Sequence, residues 1–306
     1  MAINKIEYAK LMMTALDQKA VQMLTSGWME ANAGQVIYHG GDEVKIPTMS
    51  TQGLADYDRD KGFAQGGISL SYNTYKMTQD RGRTFQLDAM DVDESGFVAT
   101  SANVINVFQT ERVIPEIDSY RYSKIATIAK KAGKTEEVTL KADNALQKIR
   151  EHIRAVQDII GIDVPLILTM ASNILALIED SPKVGKSINP ADFKQGNLSF
   201  KVKTLDDNPI RVVPSSRLKT AYESQDGVTS GQEDGGLKPA ADAKDINWII
   251  TPQNVPIAIS KTDKLRVFTP DTNQKADAWK IDFRKYHDLW IKKNKEEQIF
   301  VCIKGA

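Results

Sequence analysis

Gly185, Lys186 and Ser187 have the residue types that close a phosphate-binding loop: a glycine for close backbone approach, a lysine for charge and a hydroxyl for magnesium. The full pattern needs a glycine at position 180, where Asp180 stands, and Pro190 follows where a helix should continue. The segment therefore reads as an ordinary loop. His39, His152 and His287 lie far apart, and none has a second His, Cys or carboxylate at metal-ligand spacing. His287 and Asp288 offer an acid and a base side by side, but consecutive strand residues point to opposite faces and share no proton. His152, between Glu151 and Ile153, reads as a surface residue of a helix. Asp88, Asp91, Asp93 and Glu94 lack the cadence of a calcium loop and offset the positive end of a following helix. They also complement Arg59, Lys61, Arg81 and Arg83. These eight residues are the candidate intersubunit contacts, basic side chains of one copy's hairpin meeting the acidic segment of another. No catalytic, cofactor-binding or metal-ligating residue is assigned, and no enzyme is expected.

The element that must organise these residues is a long helical stretch at 95–133. Val104, Phe108, Ile114, Ile117, Ile125 and Ile128 return to one face at helical spacing. Lys130 and Lys131 complement its carbonyl end, and Gly133 suits a left-handed closing residue. Pro115 predicts a kink, or a break with restart near Val113.

Before that helix, residues 5–23 predict an amphipathic, methionine-rich arm helix that docks on something else. Residues 43–47 read as the first strand of a hairpin, 48–67 as a polar glycine-rich tip, and 68–77 as the returning strand. A turn is expected at Arg81-Gly82-Arg83, with strand resuming over 84–87. A two-stranded ribbon of this kind is marginal in water, so it is expected to rest on a neighbouring subunit.

After the helix, residues 139–160 predict an amphipathic helix closed by Gly161, 164–169 a buried strand, and 172–179 a second helix. Residues 198–205 and 210–213 form a hairpin across Asp206-Asp207-Asn208, ending at Pro214. Residues 220–245 read as a long exposed loop. Short strands follow at 246–250, 255–259 and 265–268, and 279–291 is expected to pair as a hairpin with 298–303.

Forty basic and forty acidic side chains cancel, which disfavours a dedicated nucleic-acid binder or an anionic-membrane protein. The single cysteine, Cys302, lies in an apolar run and reads as a core residue in a reducing compartment. Charges through the first thirty residues argue against a signal peptide, and no stretch reads as a membrane span.

Three segments, VIPEIDSYRYSKIA (113–126), IRVVPSSRL (210–218) and KIDFRKYHDLWIKKNK (280–295), occur in this order of parts. Together they make the chain resemble the major capsid proteins of tailed double-stranded DNA bacteriophages, with the Hong Kong 97-like fold. The resemblance implies an α+β chain with an N-terminal arm at 1–38, an extended loop at 39–87, and a spine helix with peripheral domain at 88–135. An axial domain would span 136–255, its 220–245 loop near a capsomer axis, and 256–306 would return to the peripheral domain. The implied function is structural: pentamers and hexamers closing an icosahedral head around double-stranded DNA, assembled in the host cytoplasm and located in the virion. The implied partners are copies of itself, a separate scaffolding protein, the portal protein and the DNA, with no cofactor. Lys61 lies in the extended loop, but nothing identifies an acceptor, and no covalent crosslink is expected. The alternatives are a cellular compartment shell of the same fold, a ring- or tube-forming tail component, and an α/β enzyme built on the 139–179 unit.

Overall fold

The computed structural model describes residues 23–38, 43–60, 62–88, 90, 101–181, 188–195 and 198–305. The predicted arm helix at 5–23 falls almost wholly outside these residues, as do His39 and the 182–187 loop with Lys186.

The long amphipathic stretch is helical from 101 to 131 in three continuous pieces. They are α1 (Ser101–Phe108), a π-turn (Gln109–Val113) and α2 (Ile114–Lys131). The break expected near Val113 is absent, because Val113 and Ile114 both keep right-handed helical angles. Ile114 donates its N–H to the carbonyl of Gln109, five residues back. Proline has no donor and crowds the preceding turn; the wider π-turn provides room, and Pro115 falls in the first turn of α2, where a missing N–H matters least. The far end is as the sequence predicts, with Lys130 and Lys131 in the last turn and Gly133 at φ 69°.

Among the described residues, fifteen strands accompany the helices. In chain order the first five are β1 (Ile37–Tyr38), β2 (Glu43–Thr51), β3 (Ile68–Lys76), β4 (Gln79–Asp88) and β5 (Thr135–Val138). Next come β6 (Leu166–Ala171), β7 (Ile188–Gln195), β8 (Leu198–Leu205), β9 (Asn208–Val213) and β10 (Tyr222–Gln225). The last are β11 (Gly236–Pro239), β12 (Ile246–Pro252), β13 (Ile257–Phe268), β14 (Ala278–Trp290) and β15 (Phe300–Lys304). Helices α3 (Ala145–Ile160) and α4 (Ser172–Glu179) lie between β5 and β7.

The main core lies on a seven-stranded sheet ordered β5-β15-β12-β6-β9-β8-β7. Every residue of β6 and β12 is buried, as expected of mostly apolar strands at the centre of a sheet covered on both faces. Leu146, Ile149, Ile153 and Val156 of α3 close over this core, and Gly161 ends the helix at φ 88°. The helix starts at Ala145 rather than 139, since Asn144 bonds the backbone of Lys141 and Thr139 and so competes with helical pairing. Asp206 and Asp207 both adopt positive φ, the turn that suits the twist of the β8–β9 hairpin. Pro190, which reads as a loop residue, is accommodated in β7 at the sheet edge.

Four expectations about strands are corrected. Arg81-Gly82-Arg83 is not a turn; it lies inside β4, which pairs with β14 and not with β3. Gly82 is needed there because a Cβ would sit 2.8 Å from the carbonyl oxygen of Phe283. The 255–259 and 265–268 runs are one strand, β13, with a bulge between Thr262 and Lys264. Strands β14 and β15 exist but do not form a hairpin: β14 lies between β13 and β4, while β15 lies between β12 and β5. The charged link between them is a 3₁₀ turn, Lys293–Gln298, that carries the chain from one sheet to the other. The last strand therefore belongs with the 136–255 elements and not with the rest of 256–306.

Candidate assembly surface

Strands β2 and β3 pair over nine residues, from Glu43 opposite Lys76 to Thr51 opposite Ile68. Only the root of this hairpin is packed: Val44 and Ile46 join Met77, Ile259 and Trp290 in an apolar cluster. Beyond Pro47 most side chains of both faces meet water. Met49, Leu54, Ile68, Leu70 and Tyr72 are exposed, Leu54 completely and Ile68 to 74%. At the tip, Asp58 and Gly62 exchange two backbone hydrogen bonds, and the Tyr57 and Phe63 rings pack at a tilt with centroids 4.8 Å apart. Apolar side chains grouped on an unsupported ribbon mark a contact surface, not a core. Arg59 stands exposed on this tip, whereas Lys61 lies outside the described residues.

Arg81 and Arg83 are not on the hairpin. The Nε of Arg81 donates to Glu116 on α2 at 2.8 Å, and its other nitrogens reach Ser224 and the carbonyls of Gln225 and Gly236. Arg83 donates to the carbonyl of Glu233 at 2.9 Å. The 220–245 segment is thus no free loop, because β10 and β11 form an antiparallel ribbon clamped by two arginines to the strand beside it. Gly227 suits this place, since its φ of 75° favours glycine and a Cβ there would displace the Arg83 guanidinium, 2.5 Å away. Burial pushes the Glu116 carboxyl up, against the opposing pull of Arg81. Asp88 ends β4 and accepts from the N–H of Met90. Asp91, Asp93 and Glu94 lie outside the described residues, so the acidic cluster is represented by Asp88 alone.

The helix carries polar anchors that sequence reasoning missed. Asp118 is fully buried on α2 and accepts from the backbone and hydroxyls of Thr25 and Ser26, and it pairs with Arg217 at 3.0 Å. Arg121, one turn on and also fully buried, reaches Glu30 at 2.6 Å. Together they seat residues 25–30 on the helix and tie it to the segment after β9. The signal was present, since Asp118 and Arg121 interrupt the stripe of Ile114, Ile117 and Ile125.

The histidines are also revised. His152 is buried, not on the surface: its Nδ1 accepts from the indole N–H of Trp248 at 3.1 Å, and its Nε2 faces Glu136. Burial lowers its pKa, outweighing the pull of Glu136. His287 packs edge-on against Tyr120 with centroids 5.3 Å apart, while Asp288 bonds Thr78, Tyr120 and Lys124. Cys302 is buried, and desolvation raises its thiol to about 11, as a core residue requires. Among the described residues, no helix is long and apolar enough to cross a membrane.

No protein-family model matches the chain, and no curated protein does. Solved structures match over most of its length. The capsid of the cyanophage P-SCSP1u aligns at TM-score 0.57 with 9% identity, covering 88% of this chain and 85% of that one. The mature capsid of bacteriophage PhiM1 aligns at TM-score 0.56 with 13% identity, covering 86% and 82%. A virus-like particle from Pyrococcus furiosus aligns at TM-score 0.52 with 13% identity, covering 97% and 99%. The chain has the Hong Kong 97-like capsid fold.

Proposed function

We propose that this chain is a structural shell protein whose copies form the pentamers and hexamers of an icosahedral phage head enclosing double-stranded DNA. The observation that carries this reading is the β2–β3 hairpin: nine paired residues, packed only at the root, with exposed apolar side chains along its length. Such a ribbon is marginal alone and is stabilised by a neighbouring copy. Equal numbers of acidic and basic residues suit a wall that contains DNA without gripping it.

In this reading residues 1–38 are the arm, 39–76 the extended loop, and the spine helix with β4, β13 and β14 the peripheral part. The seven-stranded sheet, with β15 returned to it, is the axial part. Arg59 and Lys61 meet Asp88, Asp91, Asp93 and Glu94 of another copy; Arg81 and Arg83 leave that set because their own chain occupies them. A separate scaffolding protein and the portal complete the assembly in the host cytoplasm, and the product resides in the virion. The protein carries out no catalysis.

Size exclusion and electron microscopy of the purified chain, alone and with a scaffolding partner, should give capsomers or closed shells. A strict monomer under all these conditions overturns the reading. A cellular compartment shell of the same fold is the second reading, since a shell of this fold also occurs in a virus-like particle from Pyrococcus furiosus. Particle contents separate the two, since DNA supports the phage head and enzyme cargo supports the compartment.

A further inference from the structure

We infer that Asp288 fixes the direction in which the β2–β3 hairpin leaves the body, acting as a positioning residue through Thr78. Strand β3 ends at Lys76 and β4 begins at Gln79, so Met77 and Thr78 form the joint between hairpin and body. Met77 is held by the apolar cluster of Val44, Ile46, Ile259 and Trp290. That packing resists separation, but hydrophobic contact is non-directional and sets no angle.

Thr78 supplies the angle. Its N–H and hydroxyl both reach Oδ2 of Asp288, at 2.8 and 2.9 Å. The other oxygen, Oδ1, accepts from the Tyr120 hydroxyl at 2.9 Å, from the N–H of Leu289 at 2.7 Å, and from the Lys124 ammonium. Tyr120 and Lys124 stand four residues apart on α2 and so share one face. The Tyr120 hydroxyl also lies 2.8 Å from that of Thr78, closing a ring of contacts. Joint, spine helix and β14 therefore meet at one carboxylate with no exposure to water. A buried carboxylate with both oxygens engaged tolerates little change in the geometry of its donors. Buried charge adds less to stability than apolar packing would, and here it defines one arrangement of three elements.

This property belongs to the single chain and does not depend on the shell reading, so it is tested on the unassembled full-length protein. Spin labels at Ser71→Cys and Asp158→Cys report the distance from hairpin to α3 by double electron–electron resonance. Hydrogen exchange follows the joint and the body. In Tyr120→Phe and in Asp288→Asn, we expect the label-distance distribution to broaden and the amides at 78–80 to exchange about tenfold faster. Exchange across α3 and β12 should stay as in the parent. An unchanged distribution in both variants overturns the inference. So does general loss of protection in Tyr120→Phe, because the network would then serve overall stability and not direction. Should Asp288→Asn fail to fold, Tyr120→Phe, which keeps the ring and the buried charge, decides alone.

Discussion

His152 illustrates how one side chain links the core to pH. It lies three residues after Ile149 and four before Val156, on the stripe that α3 turns to the sheet, so its burial was legible in the spacing. The charged neighbour Glu151 obscured it. Burial holds its pKa below the usual 6.5, so as pH falls the unfolded chain takes up a proton before the folded one. The contribution of His152 to stability is therefore full above about pH 6.5 and declines as pH falls below it toward the folded value. Glu136 adds a loss of the same sign at lower pH. Its burial is outweighed by hydrogen bonds from His152 and Lys148, and its contribution goes as pH falls from the usual 4.5 through the depressed value. Urea midpoints at pH 7.5 and 5.5 should drop on acidification in the parent and drop less in His152→Gln; equal drops would remove His152 from the account. Gly82 makes the complementary point about space. A methyl group there meets a backbone carbonyl, which cannot swing aside as a flexible side chain does. Gly82→Ala should lower stability by about 1–3 kcal/mol, the usual consequence of overpacking, with an unchanged far-ultraviolet spectrum. A variant as stable as the parent would show that β4 and β14 separate at no cost.

At the scale of elements, the spine helix shows what periodicity reveals and what it hides. Its existence, apolar face and closing glycine were all written in the sequence. Its π-turn is hidden by that periodicity, although the step of five from Phe108 to Val113 is what such a turn presents on one face. Phe108 and Val113 indeed pack together with Ile105 against the sheet formed by β13, β14 and β4. A proline in a helix interior costs about 3 kcal/mol, so removing one there should stabilise by a similar amount. Pro115 follows a π-turn that already gives it room, so Pro115→Ala should change stability by less than about 1 kcal/mol. Thermal and urea unfolding measure this directly. A gain near the full interior value would mean that the helix is strained at this point. Strand pairing was the least legible feature for a related reason. Periodicity identifies β4 and β14 as strands, but their register, Asp88 opposite Ala278, joins residues almost two hundred positions apart. Local turn signals at Arg81-Gly82-Arg83 pointed to nearer partners and were misleading.

For the whole molecule, the order of hairpin, spine helix and mixed sheets was readable because each part has its own local pattern. Which sheet receives β15 was not, because that choice is made by the burial of Val301, Cys302 and Ile303 between β5 and β12. The hairpin stands apart from this logic. Its outer half contributes nothing to any core, since every described residue from Ser50 to Ser69 is exposed apart from Gly62, which is half-buried. A segment that the fold does not need is retained for something outside the fold, and this separates folding from assembly in a single experiment. Deleting residues 50–67 leaves Met49 paired with Leu70 and places two residues, Ile68 and Ser69, in the connection. Adding Ile68→Asn and Ser69→Gly gives that connection the residues a tight hairpin turn prefers. The shortened chain should fold with an unfolding midpoint close to that of the parent, because only exposed surface is lost. Under conditions where the parent forms shells, it should remain as small oligomers in size exclusion and show no closed particles by electron microscopy. Normal shells from the shortened chain would refute the hairpin's role, whereas loss of folding would show that the outer ribbon supports the root cluster of Val44, Ile46 and Met77.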